Sequence, residues 1–399
     1  MERHELEYLT RSFPTPTYVF DARVLRERVR FLRENLPDGV GLCYAIKANP
    51  FIVGELEGLV DRFELCSPGE LRICQELALP SEQFVISGVY KSPEVIAELT
   101  RSGGPIGAYT AESLSQLALL ARLSEERRER LPVLLRLTSG NQFGMAEEEV
   151  RETIRNRASY PFLDFQGLQY FSGTQKTSLK RLRRELDYVQ GVLRGLREEF
   201  GYEARELEFG PGFPVMYFAS EEFDEAAFLA EFSELLRGME EKPRLVLELG
   251  RSIAASCGVY LTRIVDKKSN HDQNYAIVDG GMNHLVYYGQ SMAMKLPLCH
   301  AYPERSGEPE KWNLCGSLCT VNDILVKQLP LCGPQIGDVL VFENTGAYCM
   351  TEGISLFLSR ALPAVVLLRD GGEAELVRGT LETYKMNMPQ ENGEKKGME

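Results

Sequence analysis

From about residue 38 to 250 the chain alternates short apolar runs with amphipathic stretches. The apolar runs predict β-strands at residues 40–46, 63–66, 84–87, 106–109, 133–137, 165–170, 206–209 and 244–248. Between them, apolar residues at three-to-four spacing predict helices over 68–77, 92–100, 111–123 and 179–200. The last has a stripe of Leu179, Leu182, Leu186, Val189, Val192, Leu193 and Leu196 beside a charged face. Eight strand-then-helix units predict an α/β chain closed into a (β/α)8 TIM barrel over residues 23–257. An open doubly wound sheet would carry a glycine-rich turn after its first strand, and Ala45-Ile46-Lys47-Ala48-Asn49 is unlike one.

After residue 258 the pattern changes to short strand-like runs at 259–265, 274–278, 339–342, 364–368 and 374–378, without long helices. This predicts a second, mostly β domain of residues 1–22 and 258–385. The polar stretch 386–399 reads as a disordered tail. A length of 399 residues also favours two domains.

The net charge is −13. A field of that sign repels phosphate backbones and anionic lipid, so neither nucleic acid nor a membrane is an expected partner. Met1-Glu2-Arg3-His4-Glu5 lacks a secretory pattern, and the apolar stretch 356–368 is short and contains Arg360. Nine cysteines occur without a CxxC pair or a His at metal-ligand spacing. The expectations are a cytoplasmic protein with reduced cysteines and no metal.

Catalytic groups of such a barrel stand at the C-terminal strand ends. Lys47 ends the first predicted strand, Phe171-Ser172-Gly173-Thr174 the sixth, Gly210-Pro211-Gly212 the seventh and Glu248-Leu249-Gly250-Arg251 the eighth. A lysine after a strand is commonly a solvated loop residue. Lys47 follows the apolar Cys43-Tyr44-Ala45-Ile46, and an amine in partly apolar surroundings is suited to forming an imine. Gly210-Pro211-Gly212 reads either as a plain turn or as a backbone cradle for a phosphate. Glu248 could hold a pyridine nitrogen protonated, and Arg251 could add charge near the phosphate. An imine of pyridoxal 5′-phosphate at Lys47 is an expectation that these residues allow, beside their plain structural readings.

Taken in order, the motifs resemble those of the alanine-racemase-fold (fold type III) pyridoxal-phosphate enzymes, in the branch of diaminopimelate, ornithine and arginine decarboxylases. Tyr44-Ala45-Ile46-Lys47-Ala48-Asn49 resembles the cofactor-lysine motif. Glu64-Leu65-Cys66-Ser67-Pro68-Gly69-Glu70 and Ile86-Ser87-Gly88-Val89-Tyr90-Lys91-Ser92 resemble the next two strand motifs, and Asn141-Gln142-Phe143-Gly144-Met145 a Lys-Phe-Gly-Met segment. Gly210-Pro211-Gly212 is similar to a triple-glycine phosphate loop, and Glu248-Leu249-Gly250-Arg251 to Glu-Pro-Gly-Arg. Cys315 to Asp323 resembles the motif of the catalytic cysteine, and Gly337-Asp338 through Gly346-Ala347-Tyr348 the segment whose tyrosine touches the phosphate.

The resemblance implies amino acid α-decarboxylation, with Lys47 as the Schiff-base lysine and Cys319 as the acid that reprotonates the α-carbon. It places Glu248 at the pyridine nitrogen. Phe171, Gly173, Thr174, Gly210, Gly212, Gly250, Arg251 and Tyr348 would hold the cofactor. Thr320 and Asp323 would stand at the substrate, Asp323 in a more structural place. It also implies a homodimer in which the cysteine motif enters the partner's active site.

The chain departs from the family pattern in places that matter. Phe171 stands where a histidine stacks on the cofactor ring, Thr174 where a serine stands, Pro211 at the second glycine of the loop, and Leu249 at a proline. Thr320 stands where relatives acting on diamino acids place Asp or Glu for the distal ammonium; a neutral hydroxyl cannot make that ion pair. Glu304, Glu308 and Glu310, in an inserted-looking stretch, could supply a carboxylate but read as solvated loop. The combination of Phe171 and Thr320 resembles a subgroup whose members include decarboxylases of a glutamyl group tethered to an acyl-carrier protein. The alternatives are diaminopimelate decarboxylase proper, an amino acid racemase on the same fold, and a non-catalytic cofactor-binding protein.

Overall fold

The computed structural model describes residues 1–101, 104–287 and 293–389. Of the disordered tail expected from 386, Met386 instead closes a 3-10 turn and Asn387 Nδ2 donates to Leu356 O at 2.8 Å, while 390 onward lies outside the described residues. The chain divides into two compact units, one of residues 1–24, 216–222 and 255 onward, the other of 25–215 and 223–254.

The chain opens with α1 (Arg3–Ser12), β1 (Thr17–Asp21) and α2 (Ala22–Asn35). Eight parallel strands then close into a barrel: β2 (Gly41–Ala45), β3 (Arg62–Leu65), β4 (Phe84–Ile86), β5 (Ala108–Ala111), β6 (Leu131–Leu137), β7 (Leu163–Phe171), β8 (Glu206–Gly210) and β9 (Arg244–Leu249). The circle closes through β2 and β9, with Cys43 opposite Glu248. The helices are α3 (Pro68–Glu76), α4 (Pro93–Arg101), α5 (Leu114–Arg127), α6 (Glu147–Arg155), α7 (Leu179–Phe200), α8 (Glu225–Arg237) and the single turn α9 (Arg251–Ala254).

Local chemistry sets several of these boundaries. The Ser67 hydroxyl accepts the Glu70 N–H at 3.2 Å and Pro68 takes the first helical position, so α3 starts directly after β3. α7 is capped by Ser178, buries Leu182, Leu186, Val189, Val192, Leu193 and Leu196, and ends at Gly201 with φ +58°. The fourth strand lies two residues later than its apolar run predicts, because Thr110 and Ala111 continue the pairing with Leu134 and Leu135. Ser113 then caps α5, which begins at Leu114 rather than at 111.

The other unit is built on a nine-stranded sheet. Its strands are β1, β10 (Gly258–Asn270), β11 (Gln273–Val278), β12 (Cys299–Tyr302), β13 (Glu310–Cys315), β14 (Ile324–Leu331), β15 (Val339–Phe342), β16 (Ala364–Leu368) and β17 (Ala374–Arg378). The main path runs β14-β13-β11-β10-β1-β16-β17, while β15 pairs with β10 and β12. β1 lies antiparallel to β10 and parallel to β16. Leu6 and Leu9 of α1 pack with Val19, Leu261, Val339, Val341, Val366 and Leu368.

Strands β12 to β14 were not legible in the apolar pattern. β12 is only half-buried along its length, and β13 opens on the exposed Glu310 and Lys311. Glu304 and Glu308 are exposed, and Glu310 pairs with Leu331 at the strand end. Residues 216–222, inside the stretch read as barrel, group with the sheet unit. There the Leu298 N–H donates to Tyr217 O at 3.0 Å and the Ala219 N–H to Leu296 O at 2.9 Å.

Candidate active site

Every second residue of a barrel strand faces inward, and in four strands, Arg136 on β6 included, these positions carry charge. Arg62 and Glu64 alternate along β3, Glu206 and Glu208 along β8, and Glu248 lies two residues after Val246 in β9. Arg62 pairs with Glu206 through both guanidinium nitrogens. Above them Gln169 Nε2 donates to Glu208 Oε1 at 2.6 Å. Nearest the C-terminal ends, Lys47 Nζ lies 2.6 Å from Glu64 Oε2, 3.5 Å from Glu248 Oε1 and 3.8 Å from Cys66 Sγ. Arg136, also near this end, lies 3.1 Å from Glu112.

Lys47 itself sits on a single 3-10 turn, Ile46–Ala48, rather than in the strand. That turn is locked from below: the Tyr44 hydroxyl donates to Asn49 O at 3.1 Å, and the Asn49 side chain accepts the Phe51 N–H at 3.0 Å. Ile46 and Ala48 are buried while the Lys47 side chain keeps 40% of its surface exposed. The amine is therefore held at the mouth, against two carboxylates that are themselves buried.

The carboxylates differ in proton affinity. Burial pushes Glu64 up, but the adjacent Lys47 ammonium outweighs burial and holds it well below the usual range. Burial pushes Glu248 up, and the negative charge of Glu64 adds to the rise. Glu208 is pushed up to about 8 by burial, with Glu248 and Glu64 contributing. Glu208 Oε2 and Gln169 Oε1 are both buried without a hydrogen-bond partner, and a proton on Glu208 would supply the donor that this pair of acceptors lacks.

The ends of β7 and β8 fit closely against each other at two glycines, and at Gly212 glycine is required. A Cβ on Gly210 would stand 2.3 Å from the Phe171 ring. Gly212 has φ +62°, and a Cβ there would stand 2.1 Å from Gly173 O and 2.9 Å from Thr174 Cα. Two further links hold these loops in register. The Lys176 N–H donates to Gly212 O at 2.9 Å, and the Gln175 amide exchanges hydrogen bonds with the Val215 backbone at 2.8 and 2.9 Å. Phe171, Gly173, Thr174, Gly210 and Gly212 thus form one surface. Gly250 leads into α9, and Arg251 in its first turn is buried.

A second buried lysine lies on the rim. Lys91 Nζ donates to Gly88 O at 3.0 Å, Gln116 Oε1 at 3.0 Å and Thr110 Oγ1 at 3.3 Å. Burial lowers its pKa to about 8. Glu64, Glu208, Gln169, Arg136, Glu112 and Lys91 were not singled out from sequence. The alternation of charge along these strands is visible in the sequence, but it also fits a strand with one solvated face, and only the closed barrel shows that the charges point inward.

Cys319, Thr320, Asp323 and Tyr348 belong to the sheet unit. Cys319 is exposed on the turn after β13, two residues before the 87% exposed Val321. Asp323 is buried between Gly281 and Gly316, and its two oxygens accept the Met282 and Leu318 N–H groups, each at 2.7 Å. Its carboxylate is committed to the backbone, a structural place rather than a contact with substrate. Tyr348 has φ +64°, and its carbonyl accepts the N–H groups of Thr351 and Glu352. Among the described residues no cluster of His, Cys, Asp and Glu could hold a metal ion, and no helix is long and apolar enough to cross a membrane.

Known proteins carry the same architecture. An L-glutamyl-[BtrI acyl-carrier protein] decarboxylase of Niallia circulans is 27% identical, over 95% of this chain and 94% of the relative. A diaminopimelate decarboxylase of Vibrio cholerae is 29% identical, over 94% of this chain and 93% of the relative. The crystal structure of diaminopimelate decarboxylase from M. jannaschii in co-complex with L-lysine superposes with a TM-score of 0.83 at 24% identity, covering 94% of this chain and 91% of that one, a likeness of fold. The family model described as "Pyridoxal-dependent decarboxylase, C-terminal sheet domain" matches residues 17–346. With most of its length matched, the chain belongs to the pyridoxal-dependent decarboxylases of the ornithine, diaminopimelate and arginine group.

Proposed function

We propose that the chain decarboxylates an amino acid other than a free diamino acid, and that its substrate is presented on an acyl-carrier protein, as a glutamyl group would be. The observation that carries this reading is the absence of a free carboxylate in the cysteine segment. From Cys315 to Asp323 the only acidic residue is Asp323, and its oxygens are taken by two backbone N–H groups. Thr320 offers only a hydroxyl, which already accepts the Asn322 N–H at 3.4 Å. A distal ammonium of lysine, ornithine or diaminopimelate would find no counter-charge from this segment.

The residues present fit pyridoxal phosphate. Lys47 provides a half-exposed amine at the barrel mouth, and Gly210 and Gly212 a cradle that a Cβ would fill. Buried Arg251 would add charge to the phosphate site, with Gly173, Thr174 and Gly250 supplying backbone. Phe171 would lie against the ring as an apolar surface that donates no hydrogen bond. When bound, the cofactor supplies the electron sink for decarboxylation. Glu248 would face the ring nitrogen, and its raised proton affinity suits it to sharing a proton there. Glu64 would hold the released Lys47 amine protonated and in place. Cys319 would return a proton to the α-carbon, reaching a neighbouring copy in a homodimer, to which its exposure beside Val321 is suited. We place this work in the cytoplasm, in keeping with nine free cysteines.

The similarity to diaminopimelate decarboxylases supports a second reading, with diaminopimelate itself as substrate. One experiment separates the two. Carbon dioxide release is followed with free diaminopimelate, lysine, ornithine and glutamate, and with glutamate as a carrier-protein thioester. The expected result is release from the thioester alone. Efficient turnover of a free diamino acid would sink the proposal.

A further inference from the structure

Acidic residues number 58 in this chain of 399, yet none occurs between Asp164 and Glu185. The same stretch contains Lys176, Lys180, Arg181, Arg183 and Arg184. Two of these have internal work. Lys176 is buried against Glu185 at 2.7 Å, and Arg181 bonds Glu185 at 2.9 Å and Ser172 O at 2.9 Å. Lys180, Arg183 and Arg184 are exposed on the first two turns of α7.

That position is electrostatically unusual. The N-terminus of a helix carries partial positive charge, so acidic residues stabilise a first turn and basic ones oppose it. α6 opens on Glu147, Glu148 and Glu149, and α8 on Asp224 and Glu225; α7, like α2 and α5, has no acid in its first turn, and it places two cations there, Lys180 and Arg181. The cations therefore add to the helix's own positive end instead of offsetting it. They also stand at the catalytic end of the barrel, because α7 follows the loop of Phe171, Gly173 and Thr174 at the end of β7.

The direction of these side chains follows from helical spacing. Leu182, Leu186, Val189 and Leu193 fill the buried face, so Lys180 and Arg184, four residues apart, share the solvent face. No ion pair to either is found among the described residues. Arg183 borders the groove between α7 and α8 with Asp187, Glu231 and Glu234, where its charge is partly offset.

We propose that the start of α7, centred on Lys180 and Arg184 with Arg183 beside them, docks an acidic carrier protein that delivers the aminoacyl group. The inference rests on the reading of a carrier-linked substrate. A chain of net charge −13 repels an acidic partner at long range, so close approach needs a local surface of opposite sign. The acid-free start of α7 is such a surface, and it lies on the rim that the thioester arm must cross. A free amino acid, small and nearly neutral, would gain little from three cations that do not converge on the pocket.

The test compares wild type with the double variant Lys180→Glu/Arg184→Glu, neither residue being part of the cofactor site. The probe is the carrier protein of the Niallia circulans relative loaded with L-glutamate; glutamyl pantetheine thioester, which lacks the protein, is the control. At low salt the variant should raise KM for the loaded carrier about tenfold, leave kcat unchanged, and turn over the pantetheine control like wild type. Raising ionic strength to about 0.5 M should weaken the wild type toward the variant, because exposed charge pairs are screened. Cofactor absorbance verifies that both proteins are folded and loaded. Equal KM values for wild type and variant would overturn the docking surface while leaving a carrier-linked substrate in place. Failure of wild type to use the loaded carrier while it decarboxylates a free amino acid would overturn both.

Discussion

The Lys47 amine stands 2.6 Å from the buried carboxylate of Glu64, closer than its 3.5 Å separation from Glu248. Of the two carboxylates beside the amine expected to react with an aldehyde, Glu64 is thus the nearer negative charge. An ammonium is unreactive toward a carbonyl, and only its neutral form attacks.

Glu64→Gln should therefore make Lys47 easier to deprotonate. The pH at which the apo-protein takes up pyridoxal phosphate should fall by roughly one unit, the scale expected for losing one close opposite charge. Lys47→Ala should abolish the lysine-dependent visible absorbance altogether. Stopped-flow measurement of cofactor uptake across pH checks the first, and a spectrum the second. An unchanged uptake profile in Glu64→Gln would refute an influence of that carboxylate on the amine.

The cradle gives a graded prediction. Gly212→Ala meets backbone at 2.1 Å and requires φ +62°, whereas Gly210→Ala meets the ring of Phe171, which can turn aside. Gly212→Ala should weaken pyridoxal phosphate affinity by tenfold or more, and Gly210→Ala by less. Pairing Gly210→Ala with Phe171→Leu should recover part of the loss. Equilibrium titration of the apo-protein ranks the three variants, and an inverted order would contradict the packing.

Much of this arrangement is readable in the chain because the barrel repeats a strong signal. Each strand is an apolar run ended by a polar or glycine residue, and Lys47, Phe171, Gly210 and Glu248 all fall at such ends. The sheet unit was harder. Its strand β12 is only half-buried, and β13 begins with charged residues, so neither has the alternation that marks a strand. Inside the barrel, Glu64 and Glu208 were passed over for a related reason. A carboxylate within an apolar run reads as an interruption until pairing shows which residues share its face. Asp323 illustrates a different limit, since only the fold shows that backbone N–H groups already occupy its oxygens.

Those two backbone bonds make Asp323 a support for the cysteine segment. In Asp323→Asn one acceptor becomes an amide donor facing an N–H group, and a charge-assisted bond is lost. The variant should be about 2 kcal/mol less stable and lose activity through misplacement of Cys319, with its cofactor absorbance retained. Denaturation curves and the holo spectrum test both parts. By contrast Thr320→Asp should keep full stability and gain measurable turnover of free ornithine or lysine, detected as carbon dioxide release.

Glu208 supplies a pH dependence whose sign can be worked out. In the unfolded chain its carboxyl titrates near 4.3, as an ordinary glutamate does; folded, it is pushed up to about 8, chiefly by burial. Between those values the folded protein binds the extra proton, so stability should fall as pH rises from about 4.3 to about 8 and level off above. Each tenfold difference in proton affinity corresponds to about 1.4 kcal/mol, which makes the loss at pH 9 a few kcal/mol. Gln at this position keeps the acceptor for Gln169 Nε2, and its new N–H can donate to Gln169 Oε1, which has no partner in the native pair. Glu208→Gln should therefore match the wild-type apo-protein at pH 5 and be more stable at pH 9. Chemical denaturation at the two pH values decides it, and a variant destabilised equally at both would show that the native carboxyl does not hold a proton.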